Sequence, residues 1–376
     1  MVDGIGTQGG GETLARSLAM GLDPDRFERT FCVTRWGPES DTSSLPELEG
    51  AGVHFLGLER DSRFARRPWR ELLAYVAEHQ VAVMHTHKVG SNAWGALLRR
   101  WSKVPVLIAQ EHGVTEEDAG RRGLLDKRLI APRVDAFVAV CEADKERMID
   151  VGVPAQKIRV IRNGIAAHAP AVGETEMRGS LDIPPGAPVV GAVAMLRPEK
   201  ALDVLIDAAA LLAPKIPGLI VLIVGGPAWT EPEVADQLHE HARARGVADT
   251  VRFLGLRRDA TDILTVFDVA VLCSDREAAP LAILEYMEAG KPVVATRTGG
   301  IPEIVEDEST GILVEPRDPA ALAEAISSLL EDQDRAARFG AAGRERRRRE
   351  FDIDLMVQRF EDLYEELWRA NRGDRD

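Results

Sequence analysis

Cysteine is scarce in this sequence, with three in 376 residues: Cys32, Cys141 and Cys273. Each stands alone in an apolar run (FCV, VAVCE, VAVLCS), outside any C-x-x-C or Cys/His cluster. That excludes a disulfide scaffold and a thiolate zinc site, and it suits buried thiols in a reducing compartment. Long apolar runs are also missing. The longest, Leu219 to Val224, falls far short of the ~20 residues that span a bilayer and suits a buried strand. The start, MVDGIGTQGGGE, lacks the basic head and apolar centre of a secretory signal, so a cytoplasmic location is the expectation. Positive charge is in deficit: 47 Lys plus Arg against 61 Asp plus Glu gives a net charge of −14. Such a chain is not built to coat nucleic acid.

What is present is ordinary globular material. Apolar residues at 45% and charged residues at 29% exclude wholesale disorder. The length suggests two or three domains. Short apolar runs alternate with helical patterns. Strands are expected at 29–33, 81–85, 104–110, 136–140 and 158–161. A second series is expected at 189–194, 219–224, 251–254, 269–273, 292–296 and 311–314. Helices fit between them, for example 68–79, 92–101, 201–212, 281–289 and 319–330. This alternation implies parallel sheets covered on both faces. The fold class is therefore α/β, with two doubly wound, Rossmann-like domains facing a central cleft. The Ala-, Gly- and Pro-rich texture around 163–188 marks the junction. The expected layout is a first domain at 1–165, a linker and entry at 166–188, a second domain at 189–345, and a C-terminal helix at 346–376 that packs back toward the first domain.

One element is expected to be missing. The Gly-rich loop begins at residue 4, and nothing strand-like precedes it. A truncated or misassigned start is the favoured explanation. Gly4, Gly6 and Gly9 fit G-x-G-x-x-G, but a dinucleotide site is poorly supported without a feeding strand and a following strand-borne acid. The run Gly9, Gly10, Gly11 before a helix supports a safer reading, close approach of backbone to a phosphate or sugar.

The strongest constellation is SDREAAPLAILEYMEAG at 274–290. Glu277 sits in the loop after a strand. Pro280 and Leu281 open a helix, and Glu285 lies about one turn inside it. Free N–H groups at that helix start suit an anion, and the carboxylates on either side suit hydroxyls of a sugar or ribose. Together they describe a nucleotide sugar; a capped helix with a solvated Glu is the plainer alternative. Arg197 and Lys200 follow another strand and could neutralise a diphosphate leaving group. His85, His87 and His112 end strands of the first domain and are expected to face the cleft. TGGIPE at 298–303 could pass close to the donor or form a simple turn. The tail RERRRRE at 344–350 reads as a solvated or packed helix face, with an anionic membrane surface as the sharper alternative.

At this point a resemblance is evident. FLG at 253–255, Glu277 and Glu285 in E-x7-E, AGKPVVAT at 289–296, TGGIPEIV at 298–305 and TGILVEP at 310–316 resemble the C-terminal half of a bacterial family 4 glycosyltransferase of GT-B fold. GGGE at 9–12, HTH at 85–87, EHG at 111–113 and KIRVIRNGI at 157–165 agree in the N-terminal half. The resemblance implies retaining transfer of a sugar from a nucleotide-diphosphate sugar, with no cofactor and no obligatory metal. It implies that Glu277 holds hydroxyls of the transferred sugar and Glu285 the nucleotide ribose. The backbone at Ala279, Pro280 and Leu281 would meet the diphosphate, with Gly9 and Gly10 approaching from the first domain and Leu256 near the base. Lys200 matches the phosphate-binding lysine and His112 the active-site histidine, with His87 on the acceptor side. Front-face attack is the implied route.

The sequence departs from the family pattern at four places. Met195 stands where many relatives carry an Arg, and Arg197 is the candidate substitute. Ala201 and Ala278 replace glycines, and Cys141 replaces a serine. The rival readings are a GT-B-type epimerase or phosphorylase, a non-catalytic sugar-nucleotide-binding protein and an NAD-dependent dehydrogenase. The acceptor, whether glycan, lipid or small molecule, is not legible. A peripheral membrane contact at the inner face would suit a lipid-linked one.

Overall fold

The computed structural model describes residues 1–4, 10–60, 65–113, 123–228 and 230–373. The chain divides into two compact units. The first is Met1–Gly164 with Ile353–Asp376, and the second is Ile165–Asp352. The stretch 166–188, expected as a linker and entry, lies within the second unit. There Met177 and Ile183 are buried beside Val189 and Phe267. Among the described residues no helix is long and apolar enough to cross a membrane.

Among the described residues the second unit holds six strands: β7 (Val189–Val193), β8 (Ile220–Val224), β9 (Val251–Gly255), β10 (Val269–Leu272), β11 (Val293–Thr296) and β12 (Gly311–Val314). All pair in parallel, in the order β12-β11-β10-β7-β8-β9. The apolar runs that specify these strands must be hidden on both faces, because alternate side chains point to opposite sides. Val221 and Ile223 of β8 enter a core with Leu205, Ile206 and Ile326. Ile220, Leu222 and Val224 enter another with Phe267, Ile283 and Tyr286. Counted from β7, the spatial order is that of a dinucleotide-binding sheet, and it reverses between β7 and β10.

The first unit repeats the plan. Its strands are β1 (Thr30–Trp36), β2 (His54–Glu59), β3 (Val83–His87), β4 (Val106–Gln110), β5 (Ala136–Ala139) and β6 (Ile158–Val160). β2 was not expected from the sequence, because Gly57 interrupts its apolar run. The glycine is needed there: a Cβ would lie 2.6 Å from the Trp36 ring, which packs on it.

The expected gap at the first strand is corrected. Met1–Asp3 lie between β1 and β3. Val2 bridges Val33 in parallel, its N–H donates to Cys32 O, and its carbonyl accepts from Thr34 N. His87 N donates to Met1 O on the other side. The order is therefore β2-β1-(1–3)-β3-β4-β5-β6, reversing between residues 1–3 and β3.

The helix Ile353–Gly373 belongs to this unit and packs on α1 (Gly10–Gly21) and β4. Glu361 accepts from Asp23 N and pairs with Arg26 at 2.5 Å. The Arg-rich tail lies in the helix Gln333–Glu350 of the second unit. Arg347 is fully buried between Glu288 and Asp352, Arg346 donates to Glu303 O, and Arg349 pairs with Glu350. Arg346 and Arg347 are thus used internally, while Arg344, Arg348 and Arg349 are exposed.

Candidate functional site

In the second unit the chemistry gathers where the strand order reverses. In such sheets the helices leave opposite faces at that point and open a crevice beyond the strand ends. β7 leads into Arg197 and a 3-10 turn, Pro198–Lys200. β10 leads into Ser274 and the loop carrying Glu277. Lys200 Nζ donates to Glu277 Oε1 at 2.6 Å, and Ser274 Oγ donates to the same oxygen at 2.8 Å. Asp275 N donates to Glu199 O at 2.9 Å, tying the two loops through their backbones. A third loop closes over them. Thr296 Oγ1 donates to Ser274 O and Thr298 Oγ1 to Asp275 O. Gly299, at φ +51°, packs so closely that a Cβ would lie 1.7 Å from the Glu277 carbonyl oxygen. The TGGIPE segment is therefore a fixed wall of the Glu277 loop.

Pro280 begins the helix Leu281–Glu288 without a side-chain cap, so its first N–H groups have no intrahelical partner. Glu285 follows one turn later, half-buried. Burial pushes its carboxyl above the ordinary range, and the neighbouring His168 opposes this. Sequence reasoning missed His168 and Ser274. The second had a signal, since it directly follows the strand that delivers Glu277. Leu256, just past β9, is 55% exposed, an unusual state for leucine.

Arg197 is not brought to the Lys200–Glu277 pair. Its guanidinium pairs with Glu199 at 3.2 Å and approaches Glu231 at 3.9 Å. Two of the other departures, Ala201 and Cys141, can be placed locally. Ala201 sits at φ +49°, the left-handed conformation that a glycine enters without penalty. Cys141 caps the helix Glu142–Asp150, its Sγ accepting from Asp144 N at 3.3 Å, as a serine oxygen would.

In the first unit the corresponding edge carries histidines. His87 ends β3 and is buried; its Nδ1 lies 3.1 Å from His112 Nε2. The rings stack at 5.4 Å. Gly11, in the first turn of α1, packs on His112; a Cβ there would lie 3.0 Å from the ring and 3.1 Å from the Lys88 side chain. Lys88 adopts φ +67° and donates to Glu12 Oε1 at 2.5 Å. Burial and then the Lys88 charge hold His112 down at about 3. Burial also keeps His87 well below its ordinary value. His112 is therefore a neutral imidazole beside a glycine-lined helix start, able to hydrogen-bond a hydroxyl without carrying charge.

His85, also expected at this edge, has its ring against that of His87 at 4.2 Å. Its Nδ1 lies 2.7 Å from Tyr364 OH, and its ring packs against Phe360, both in the C-terminal helix. Gly10 opens α1. Gly9 lies outside the described residues. Among the described residues no group of three or more His, Cys, Asp and Glu is arranged to hold a metal ion.

Both halves of this arrangement have counterparts in known proteins. The family model for Glycosyltransferase Family 4 matches residues 8–168, and that for Glycosyl transferases group 1 matches 173–346. A D-inositol 3-phosphate glycosyltransferase of Corynebacterium urealyticum is 32% identical over 70% of this chain and 67% of its own length. The chain belongs to the family 4 glycosyltransferases. A Salinispora tropica relative of the same name is 33% identical over 66% of the chain, but the match spans 54% of that protein, about half its length. The fold is GT-B. Anabaena HepE, solved with UDP and glucose, superimposes with TM-score 0.83 at 22% identity, covering 96% of this chain and 97% of its own. Sucrose-phosphate synthase of Thermosynechococcus elongatus gives 0.81 at 23% identity, covering 98% and 96%.

Proposed function

We propose that this family 4 glycosyltransferase moves a sugar from a nucleoside-diphosphate sugar to an acceptor hydroxyl, with retention at the anomeric carbon. The observation that carries the reading is the Lys200–Glu277 pair at the point where the strand order reverses. A cation and a hydroxyl-binding carboxylate stand side by side there, near an uncapped helix start. The solved HepE complexes with UDP and glucose support a donor of this class. The acceptor class includes small polyols, as the name of the inositol-phosphate relatives suggests.

In this reading the bond from the anomeric carbon to the diphosphate oxygen breaks, and the acceptor oxygen bonds to that carbon from the same face. The acceptor's proton passes to the departing phosphate oxygen. Lys200 and the N–H groups at Leu281 stabilise the charge that develops on the phosphate. Glu277 holds sugar hydroxyls and Glu285 the ribose, while neutral His112 hydrogen-bonds the sugar. The reading asks no metal to carry the leaving group, so turnover should persist in EDTA. The protein would work in the cytoplasm. The internal pairing of Arg346 and Arg347 gives part of the basic tail a structural use.

Kinetics of two variants test the assignment. Lys200→Ala should lower kcat about 100-fold or more with donor KM little changed, whereas Glu285→Ala should mainly raise donor KM. Full turnover in Lys200→Ala would remove the leaving-group role from this lysine. Donor binding without transfer or hydrolysis in the parent protein would favour the non-catalytic alternative.

A further inference from the structure

We propose that His87 is a positioning residue for His112: it takes up Nε2 of that ring and leaves Nδ1 as the nitrogen that meets a substrate oxygen. What His112 does to a substrate rests on the transferase reading; the pairing of the two rings stands on the geometry. His87 is the last residue of β3, in register with Gln110 of β4, and His112 follows that partner by two residues. Side chains two apart on a strand share a face, so His85 stands beside His87, with the rings 4.2 Å apart. His85 is itself paired with Tyr364 OH at 2.7 Å. The backbone of His87 is also held, its N–H donating to Met1 O at 3.0 Å. The ring that faces His112 is therefore buried and fixed from behind.

His87 Nδ1 lies 3.1 Å from His112 Nε2, and the two ring planes differ by only 15°. In that setting an N–H of one ring points at the lone pair of the other. The contact needs two neutral rings, because a neutral imidazole has one N–H and one bare nitrogen, whereas two imidazolium rings would meet donor to donor. Burial keeps both of them neutral. A second edge of His112 is covered as well. A Cβ at Gly11 would lie 3.0 Å from both Cδ2 and Cγ of the ring, and 3.1 Å from the Lys88 side chain. The start of α1 thus covers the Cδ2–Cγ edge while His87 covers Nε2. Among the described residues Nδ1 has no hydrogen-bond partner.

The same contact sets the tautomer. One N–H is shared between the two rings, so whichever ring donates decides whether His112 Nδ1 carries a proton or a lone pair. A substrate hydroxyl then meets one nitrogen in one state and one orientation. Without His87 the ring would turn more freely and its buried Nε2 would lose its partner, which lowers the fraction of His112 poised for the reaction.

Nitrogen-15 NMR of the histidine side chains, on the full chain at pH 7 without substrate, tests the pairing. His112 should show one protonated and one bare nitrogen, with His112→Asn identifying its signals by their loss. In His87→Leu the two signals should move toward each other as the tautomers exchange. An averaged pair in the parent overturns the proposal, and that spectrum needs no variant to fold; a parental pattern in His87→Leu overturns it too. Initial rates with the nucleotide sugar that the parent turns over test the role of Nδ1. An Asn amide stands on Cγ, where histidine has Nδ1, whereas a Gln amide stands one carbon farther out, nearer Nε2. His112→Asn should therefore keep a kcat about tenfold above that of His112→Gln, and equal or reversed rates overturn the assignment. His87→Leu should lower kcat about tenfold with donor KM little changed, and His87→Asn, whose amide still reaches Nε2, should recover most of it. Parental kcat in His87→Leu overturns the positioning role. A single tautomer that depends on His87, together with no turnover of any nucleotide sugar, would leave the pairing standing and remove the transferase reading instead.

Discussion

Gly299 shows how little freedom the backbone around Glu277 has. Its left-handed φ and the 1.7 Å that would separate a Cβ from the Glu277 carbonyl oxygen leave no room for a side chain. Gly299→Ala should destabilise the protein by about 1–3 kcal/mol. Turnover should fall further than that loss explains, because Glu277 must move off Lys200. Denaturant unfolding together with kcat measures both; an Ala variant with parental stability and kcat would show that the loop has space. Glu277, Glu285 and Lys200 were legible as residues because strand ends and a helix start bracket them. The Lys200–Glu277 contact was not, since 77 residues separate the partners and only the sheet order unites them. The surroundings of Arg197 were hidden for a related reason: Glu231 approaches it across a folded loop.

At the scale of elements, β3 and β4 bring three histidines together, and burial keeps each of them neutral. In the unfolded chain these groups titrate near 6.5, so on acidification the unfolded state takes up protons that the folded state refuses. Stability is therefore present above about pH 6.5 and is lost as pH falls below it toward the depressed folded values, near 3 for His112. Each such histidine contributes a slope of about 1.4 kcal/mol per pH unit. His87→Gln should remove one histidine's share between pH 6 and 5 in unfolding titrations; an unchanged slope would mean that His87 is protonated in the fold. The elements themselves were largely readable, because apolar runs of strand length alternate with helical spacing. β2 escaped because the glycine that makes room for Trp36 breaks its apolar pattern. The first strand escaped because three residues carry no periodicity. Their place is set by hydrogen bonds to Cys32, Thr34 and His87.

For the molecule as a whole, two units built on the same strand order each carry half of the proposed chemistry. The second unit holds the Lys200–Glu277 pair and Glu285, and the first holds His112. That two-part plan was readable from two successive series of strands and helices. The Ala-, Gly- and Pro-rich texture around 163–188 marked the junction, which falls between Gly164 and Ile165, and Met177 and Ile183 of the expected linker and entry join the second unit's core. The Arg-rich tail read as a solvated or packed helix face, and Arg347 is held by Glu288, 59 residues away, and by Asp352, while Arg344, Arg348 and Arg349 are exposed. The central claim is retaining transfer from a nucleotide sugar. It is tested most directly by incubating the protein with UDP-, GDP- and ADP-sugars and following the first-formed anomer by proton NMR, with Lys200→Ala as control. The account predicts that an α-linked donor of one base family yields the α-anomer before mutarotation, and that the variant yields it at least 100-fold more slowly. A first-formed β-anomer, or no turnover of any nucleotide sugar, would contradict it.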